Sequence, residues 1–316
     1  MGAILETASG PIGGRDRFPW SILSSLSIGP QSEHACRTLD HMAGFARSLK
    51  TLKLEVFYEK RNQNCESPKR FLLSFDTLVY LELQNYPCPV QAIAQHTQLV
   101  RLCLHSTESW NPQAQRNVLS KEDLEHLDAH CPHLEYLELD IERQNDDWPW
   151  DILTTLATVF DHLRKLTLHF HLGNTRNPQM PVLNYHSAQE IRNVFYKSRQ
   201  AAFERYPGIH TSEKARAEPS STSASASFLS KLERLTLKTG FEKSLRRYPD
   251  PYPRRAAWAE LHTVTFELRP PKTAIEKPEF THLQRQELEA IPDRRAVDPA
   301  YYKKLKKMVD AAVEGP

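Results

Sequence analysis

One phrase, Leu-x-x-Leu-x-Leu, recurs along this 316-residue chain and constrains its fold more than any other feature. The last two apolar positions of each phrase alternate with polar residues, which is the period of a β-strand. Most successive copies are 21 to 35 residues apart, and one step of 69 residues leaves room for an insertion. A spacing of roughly 20–29 residues indicates supersecondary units that stack and bury one another. The leading leucines are Leu23, Leu49, Leu78, Leu99, Leu134, Leu163, Leu232 and Leu261.

A second apolar position accompanies the phrase, three residues before each leading leucine. Seven of the eight residues there are readily buried, and the exception is a histidine: Trp20, Ala46, Phe75, His96, Cys131, Phe160, Leu229 and Trp258. Segments with helical spacing precede several phrases, at 90–96, 120–130 and 152–160. In the clearest of them, Ser120 and Asp123 have the spacing of an N-terminal cap, and Cys131-Pro132 ends the helix. The sequence therefore predicts that helices and parallel strands alternate along the chain.

These patterns predict an α/β leucine-rich-repeat solenoid, with parallel strands on a concave face and helices on a convex face. We expect a flexible N-terminus over 1–19, repeats over 20–171, an insertion over 172–228, repeats over 229–270 and a C-terminal helical cap or tail over 271–316. Within the insertion, amphipathic spacing predicts a helix at about 187–206, and a Ser-rich, apolar-poor composition predicts disorder at 211–227.

Composition limits the functions that are compatible with the chain. A formal net charge of +2 gives no electrostatic reason to expect nucleic acid or an acidic membrane as a partner. No apolar run is long enough to span a bilayer, and no secretory signal is visible at the N-terminus. The five cysteines are scattered and odd in number, which favours a reducing compartment, the cytosol or the nucleus.

The variable residues between the leucines provide the candidate binding surface. In stacked repeats these side chains point away from the core and form columns across adjacent strands, about 4.8 Å apart. Tyr and Arg, which are enriched at binding hot spots, stand at the centre of the first column. Two alternatives are a solvated face that binds nothing and cross-strand pairing of the acidic members with Arg101 and Lys165. The predicted protein-binding residues are Tyr80, Glu82, Arg101, His105, Tyr136, Glu138, Asp140, Lys165, His169 and Arg234.

Motifs for catalysis or for metal and cofactor binding are missing from the sequence. There is no nucleophile elbow, Walker loop or dinucleotide-binding glycine motif, so we expect no enzymatic activity and no cofactor. His126, His130 and His133 surround Cys131, but the spacing of further ligands is not that of a metal site, and a structural role is favoured. His162, His169 and His171 form a second loose group with the same interpretation.

Residues 124–139, Leu-Glu-His-Leu-Asp-Ala-His-Cys-Pro-His-Leu-Glu-Tyr-Leu-Glu-Leu, resemble the leucine-rich repeats of fungal F-box proteins. The resemblance implies a substrate-binding scaffold of an SCF-type ubiquitin ligase, in which an F-box docks on the Skp adaptor. Residues 1–22 contain no Leu-Pro-x-Glu phrase typical of an F-box, so Skp and cullin are expected partners only if an F-box lies outside this chain. The alternative is a free-standing adaptor or inhibitor that has no connection with a ubiquitin ligase.

Overall fold

The structure, a computed structural model, describes residues 2–4, 20–29, 32–55, 66–85, 90–106, 116, 118–143, 147–171, 181–205, 232–240 and 263–268. In these ranges the chain has an α/β fold whose strands pair mostly in parallel. It divides into two compact units, Met1–Ile141 and Glu142–Pro316, so the repeats predicted as one block over 20–171 belong to both. The disorder predicted at 211–227 and the C-terminal helices predicted over 271–316 lie outside the described residues.

In the first unit, the described strands pair in sequence order, each parallel to the one before it. The pairing aligns the second leucine of successive phrases, and these leucines are almost fully buried. Residues 2–4, within the N-terminal segment expected to be flexible, form a strand beside the first repeat. The strands are β1 (Gly2–Ile4), β2 (Ser25–Ile28), β3 (Thr51–Glu55), β4 (Tyr80–Gln84), β5 (Arg101–His105) and β6 (Tyr136–Ile141).

Two sets of backbone hydrogen bonds recur from phrase to phrase. The carbonyl of Ser24 accepts the N–H groups of both Lys50 and Thr51, at 2.9 and 3.0 Å, and the carbonyls of Lys50, Val79 and Val100 accept equivalent pairs. In the second set, the N–H of Leu49 donates to the carbonyl of Ala46 at 3.2 Å, and Leu23, Leu99 and Leu134 make the same turn. This turn explains the apolar position three residues upstream, because Ala46, His96 and Cys131, whose carbonyls close it, are buried in the core.

Helices of the first unit pack in sequence order, α1 on α2, α2 on α3 and α3 on α4. Helix α4 begins as predicted: the Ser120 hydroxyl accepts the N–H of Asp123 at 3.2 Å, and the Asp123 carboxylate accepts the N–H of Ser120 at 3.0 Å. These bonds give hydrogen-bond acceptors to two backbone N–H groups that have no partner within the helix at its first turn. The helices are α1 (Ser32–Met42), α2 (Glu66–Leu72), α3 (Val90–Ala94) and α4 (Lys121–His130), after a short 3-10 helix at Trp20–Ile22.

The second unit contains α5 (Trp150–Val159), β7 (Lys165–Phe170), α6 (Tyr185–Arg205), β8 (Arg234–Thr239) and β9 (Val264–Leu268). Strands β7 and β8 are parallel, but β9 is antiparallel to β8, so the prediction of parallel strands throughout is wrong for the last repeat. The start of β9 lies beside the end of β8, where Thr239 pairs with Val264. A return at that edge produces an antiparallel neighbour, whereas a parallel one needs a crossover to the opposite end of the strand.

Helix α6 occupies the place where the sequence predicts a helix at about 187–206. Its Ile191 and Phe195 side chains are fully buried, and the helix packs against α5. The buried guanidinium of Arg199 donates to the carbonyls of Ala157 and Phe160 at 3.2 and 3.1 Å. A cation at the carboxyl end of a helix is favourable because the last carbonyls have no partner within the helix.

Candidate functional site

Three columns of side chains follow the leucines across β2–β6 of the first unit. Cα pairing aligns the first column, Ser25, Thr51, Tyr80, Arg101 and Tyr136, and the second column, Ser27, Lys53, Glu82, Cys103 and Glu138. Both columns alternate along each strand with buried leucines. We call these two columns the strand face. The third column follows the last leucine of each phrase and includes Glu55, Gln84 and His105.

Arg101 lies between two tyrosines at the centre of the first column. Its guanidinium carbon is 5.0 Å from the ring centre of Tyr80 and 6.0 Å from that of Tyr136. Both distances are within the range of cation–π attraction, which contributes about 0.5–1 kcal/mol at exposed sites. Arg101 is exposed, while the two tyrosines are half-buried. We call these three residues the Arg101 stack, and it unites three of the predicted binding residues.

A second group on the strand face joins Lys53, Tyr80 and Glu82. The Lys53 ammonium lies 2.9 Å from the Glu82 carboxylate and 5.0 Å from the centre of the Tyr80 ring, and the Tyr80 hydroxyl donates to the same carboxylate. Burial, followed by the hydrogen bond and charge of Glu82, raises the pKa of Tyr80. Burial opposes the charge of Lys53, but the hydrogen bond and charge of Glu82 outweigh it and raise the pKa of Lys53. The phenol therefore stays protonated and the amine stays charged at neutral pH.

Cross-strand pairing of an acidic residue occurs at Glu82, whose partner is Lys53 in place of Arg101 or Lys165. Glu82 pairs with Lys53, on the preceding strand, and Asp140 lies 3.6 Å from Arg116. The expected alternative placed these carboxylates against Arg101 and Lys165. The pairing of Lys53 with Glu82 could have been predicted, because the two residues hold the same position in successive phrases. Arg116 could not be identified as a partner, because it lies outside the repeated phrase.

Cys103 lies in the second column between Glu82 and Glu138. The cysteine is almost fully buried, and its thiol is free. Burial, followed by the negative charges of Glu138 and Glu82, raises the pKa of this thiol well above its usual range. A protonated thiol is a poor nucleophile and a poor metal ligand. Cys103 therefore contributes packing to the strand face.

The third column does not form an accessible surface at His105 and Asp140. The exposed fractions of these residues are 8% and 1%, so little of either side chain is accessible for direct contact with a protein partner. His105 Nδ1 lies 2.8 Å from Asp140, whose carboxylate also accepts the N–H of Ser106 at 2.7 Å. The Arg116 guanidinium donates to the Ser106 carbonyl at 3.2 Å. No sequence signal indicates this network, because Arg116 lies between phrases and Ser106 follows the strand.

The predicted binding residues of the second unit have a different environment. His169 is buried, with an exposed fraction of 3%, so it too is not available for direct contact. Lys165 and Arg234 are half-buried and face one another in the pairing of β7 with β8. The Arg234 guanidinium lies 3.5 Å from the carboxylate of Glu267 on β9. This ion pair is partly exposed, and such pairs contribute at most about 1 kcal/mol.

The histidines near Cys131 are engaged locally. The rings of His126 and His130 are 4.2 Å apart between centres, and His130 Nδ1 lies 2.8 Å from the carbonyl of His126, on its own helix. Burial, followed by the charge of Asp128, raises the pKa of the Cys131 thiol to about 11. Among the described residues, no group of three or more His, Cys, Asp or Glu side chains has a geometry able to hold a metal ion.

Comparison of the chain with protein-family models and with curated protein sequences gives no match. In the described ranges, no helix combines the length and apolar character that crossing a bilayer requires. The side chains of the strand face, and above all the Arg101 stack, are therefore the basis for assigning a function.

Proposed function

We propose that this chain is a non-enzymatic leucine-rich-repeat scaffold that binds a protein partner on its strand face. The solenoid itself is part of the proposal. It is supported by backbone hydrogen bonds that recur between successive phrases of the first unit and by helices that pack in sequence order there. Repeats of this kind expose a ladder of variable side chains above a constant core, which suits recognition of a large ligand.

The Arg101 stack is the observation that carries the proposal. The exposed Arg101 guanidinium lies 5.0 Å from the ring centre of Tyr80 and 6.0 Å from that of Tyr136. Association usually costs about 0.5–1.5 kcal/mol for each flexible side chain that is immobilised, and pre-ordering reduces that cost. Tyr and Arg are also the residue types over-represented among binding hot spots. A solvated face without a ligand would gain little from this arrangement.

The connection with a ubiquitin ligase is the more specific part of the proposal, and it rests on the resemblance of residues 124–139 to the repeats of F-box proteins. In this role the strand face would hold a substrate, and an F-box outside this chain would recruit Skp. The alternative, an adaptor or inhibitor, uses the same face without Skp or cullin. Affinity capture of the full chain from extract of the cells that express it, followed by mass spectrometry, separates the two. Recovery of Skp or cullin supports the ligase role, and its repeated absence beside a strand-face partner supports the adaptor.

A double substitution tests the surface itself. We expect Arg101→Ala with Tyr136→Ala to abolish partner capture while leaving the thermal melt nearly unchanged. Phe45→Ala with Arg47→Ala is the control, because it likewise removes one aromatic residue and one arginine from the first unit, both at exposed positions away from the strand face. The control should capture the partner like the unaltered chain. Capture that persists in the Arg101/Tyr136 variant would refute the proposed surface.

A further inference from the structure

We infer that Arg101 anchors a carboxylate of the partner, an Asp or Glu side chain on an acidic peptide segment; this inference rests on the proposed function. The guanidinium carbon lies 5.0 Å and 6.0 Å from the two tyrosine ring centres, and the guanidinium N–H groups donate no hydrogen bond to another described residue. A planar guanidinium donates two parallel hydrogen bonds to a carboxylate, and such bidentate pairs are among the stronger hydrogen bonds in proteins.

Carboxylates of the strand face are occupied without Arg101. Glu82 accepts from Lys53 and from the Tyr80 hydroxyl. Glu138 lies beside Cys103 in the second column, and its charge is one of the causes that raise the pKa of that thiol. In the part of the chain that the structure describes, Arg101 has contacts with the two tyrosine rings and forms no ion pair. An exposed charge held in place by its neighbours and left without a counter-ion is complementary to an acid on another molecule.

The charge around Arg101 favours a carboxylate over a phosphate. Lys53 is already neutralised by Glu82, so Arg101 provides the one cation of the strand face that lacks an ion pair among the described residues. A phosphoryl group carries a charge of about −1.5 to −2 at neutral pH and is usually bound by several cations. Here such a group would face the carboxylates of Glu82 and Glu138 in the adjacent column. A single negative charge matches the single guanidinium.

The test uses arrays of eight-residue peptides. In each peptide set, one central position holds a single amino acid, and the sets together cover all twenty amino acids and phosphoserine. The purified full chain is applied, and bound protein is measured. We expect selection of Asp and Glu over Asn and Gln by at least about tenfold, the discrimination typical of a charged hydrogen bond. Arg101→Gln should lose this selection, Arg101→Lys should retain part of it, and Arg47→Gln, at another exposed arginine, should leave it unchanged.

Two kinds of failure are distinguishable in the same arrays. Peptide binding that depends on Tyr136 but shows no acidic selection, or selection that survives in Arg101→Gln, would overturn the inference and leave the proposed strand-face site intact. A preference for phosphoserine over glutamate would overturn it as well. If no peptide on the array binds in a way that Tyr136→Ala weakens, the result would contradict both the proposed function and this inference.

Discussion

Nδ1 of His105 lies 2.8 Å from the Asp140 carboxylate, and both side chains are buried beneath the strand face. The same carboxylate accepts the Ser106 N–H and lies 3.6 Å from the Arg116 guanidinium. One carboxylate therefore contacts polar groups of three other residues: His105 at the end of β5, Ser106 directly after it and Arg116 in the connection to β6. This network lies at the edge of the strand face next to the second column, which holds Cys103.

We predict that Asp140→Asn destabilises the fold by about 3 kcal/mol, because removing one partner of a buried charged pair leaves the others without compensation. Urea unfolding at pH 7 measures the change as a lower midpoint. Asp40→Asn is the control, since Asp40 pairs with Arg70 at 2.9 Å on an exposed surface where such a pair contributes about 1 kcal/mol or less. Equal midpoints for the two variants would show that the buried network does not stabilise the fold.

His96 makes stability depend on pH. Its ring is fully buried beside Phe75, and neither ring nitrogen has a hydrogen bond of normal geometry. Burial lowers the pKa of His96 to about 4, against a small opposing effect of the Asp76 backbone and charge. The unfolded chain binds a proton near pH 6.5 and the folded chain does not, so stability is lost as the pH falls from about 6.5 towards 4.

The expected loss from His96 between pH 7 and pH 5 is about 2 kcal/mol. We predict that His96→Leu removes this part of the pH dependence, whereas His133→Gln, at an exposed histidine, retains it. Urea unfolding at both pH values provides the comparison. A pH dependence that is identical in the unaltered chain and in His96→Leu would rule out a neutral buried histidine at this position.

Alanine substitutions at three glycines distinguish the cost of a strained backbone from the cost of a steric clash. A methyl group added at Gly29 or at Gly44 would meet no atom within 4 Å, but Gly44 has a φ of +80°. Gly240 has a φ of +90°, and a Cβ atom there would lie 2.7 Å from the Thr263 Cα. We predict that alanine costs least at Gly29, more at Gly44 and most at Gly240, where the loss should exceed about 1 kcal/mol. Thermal melts give the order. A Gly240→Ala variant as stable as Gly29→Ala would contradict the antiparallel return into β9.

Arg199 provides a prediction for the second unit. Replacing it by Met should cost about 2 kcal/mol, because the charged hydrogen bonds to the carboxyl end of α5 disappear while the apolar part of the side chain is kept. Lys197→Met, at an exposed position of the same helix, is the control and should change the urea midpoint little. A similar midpoint in both variants would contradict the capping role of Arg199.

Much of the fold follows from local sequence patterns. Leucine spacing predicts the strands because a buried leucine stands at every second position of each phrase, and the upstream residue is predictable because a short turn before the leading leucine places it in the core. Ser120 and Asp123 indicate the start of α4 for a similarly local reason. The Arg101 stack was also predictable, since parallel pairing brings equivalent residues of successive phrases side by side.

Features that depend on distant residues were not predictable. Asp140 looks like a surface position in its phrase, and only its contacts with His105, Ser106 and Arg116 show why it is buried. The direction of β9 depends on the edge of β8 at which the chain returns, beside Gly240 and Thr263, and the phrase itself is the same for either direction. In both cases the decisive contacts lie outside the repeated phrase.

Site-specific photocrosslinking tests the central claim most directly. A benzophenone amino acid replaces Thr51, in the first column beside Tyr80, or Glu122, on the exposed side of α4. After irradiation of cells that express the full chain, adducts are identified by mass spectrometry. We predict that the partner lost in the Arg101/Tyr136 double variant crosslinks from position 51 and does not crosslink from position 122. Adducts of that partner from position 122, with none from position 51, would contradict a binding site on the strand face.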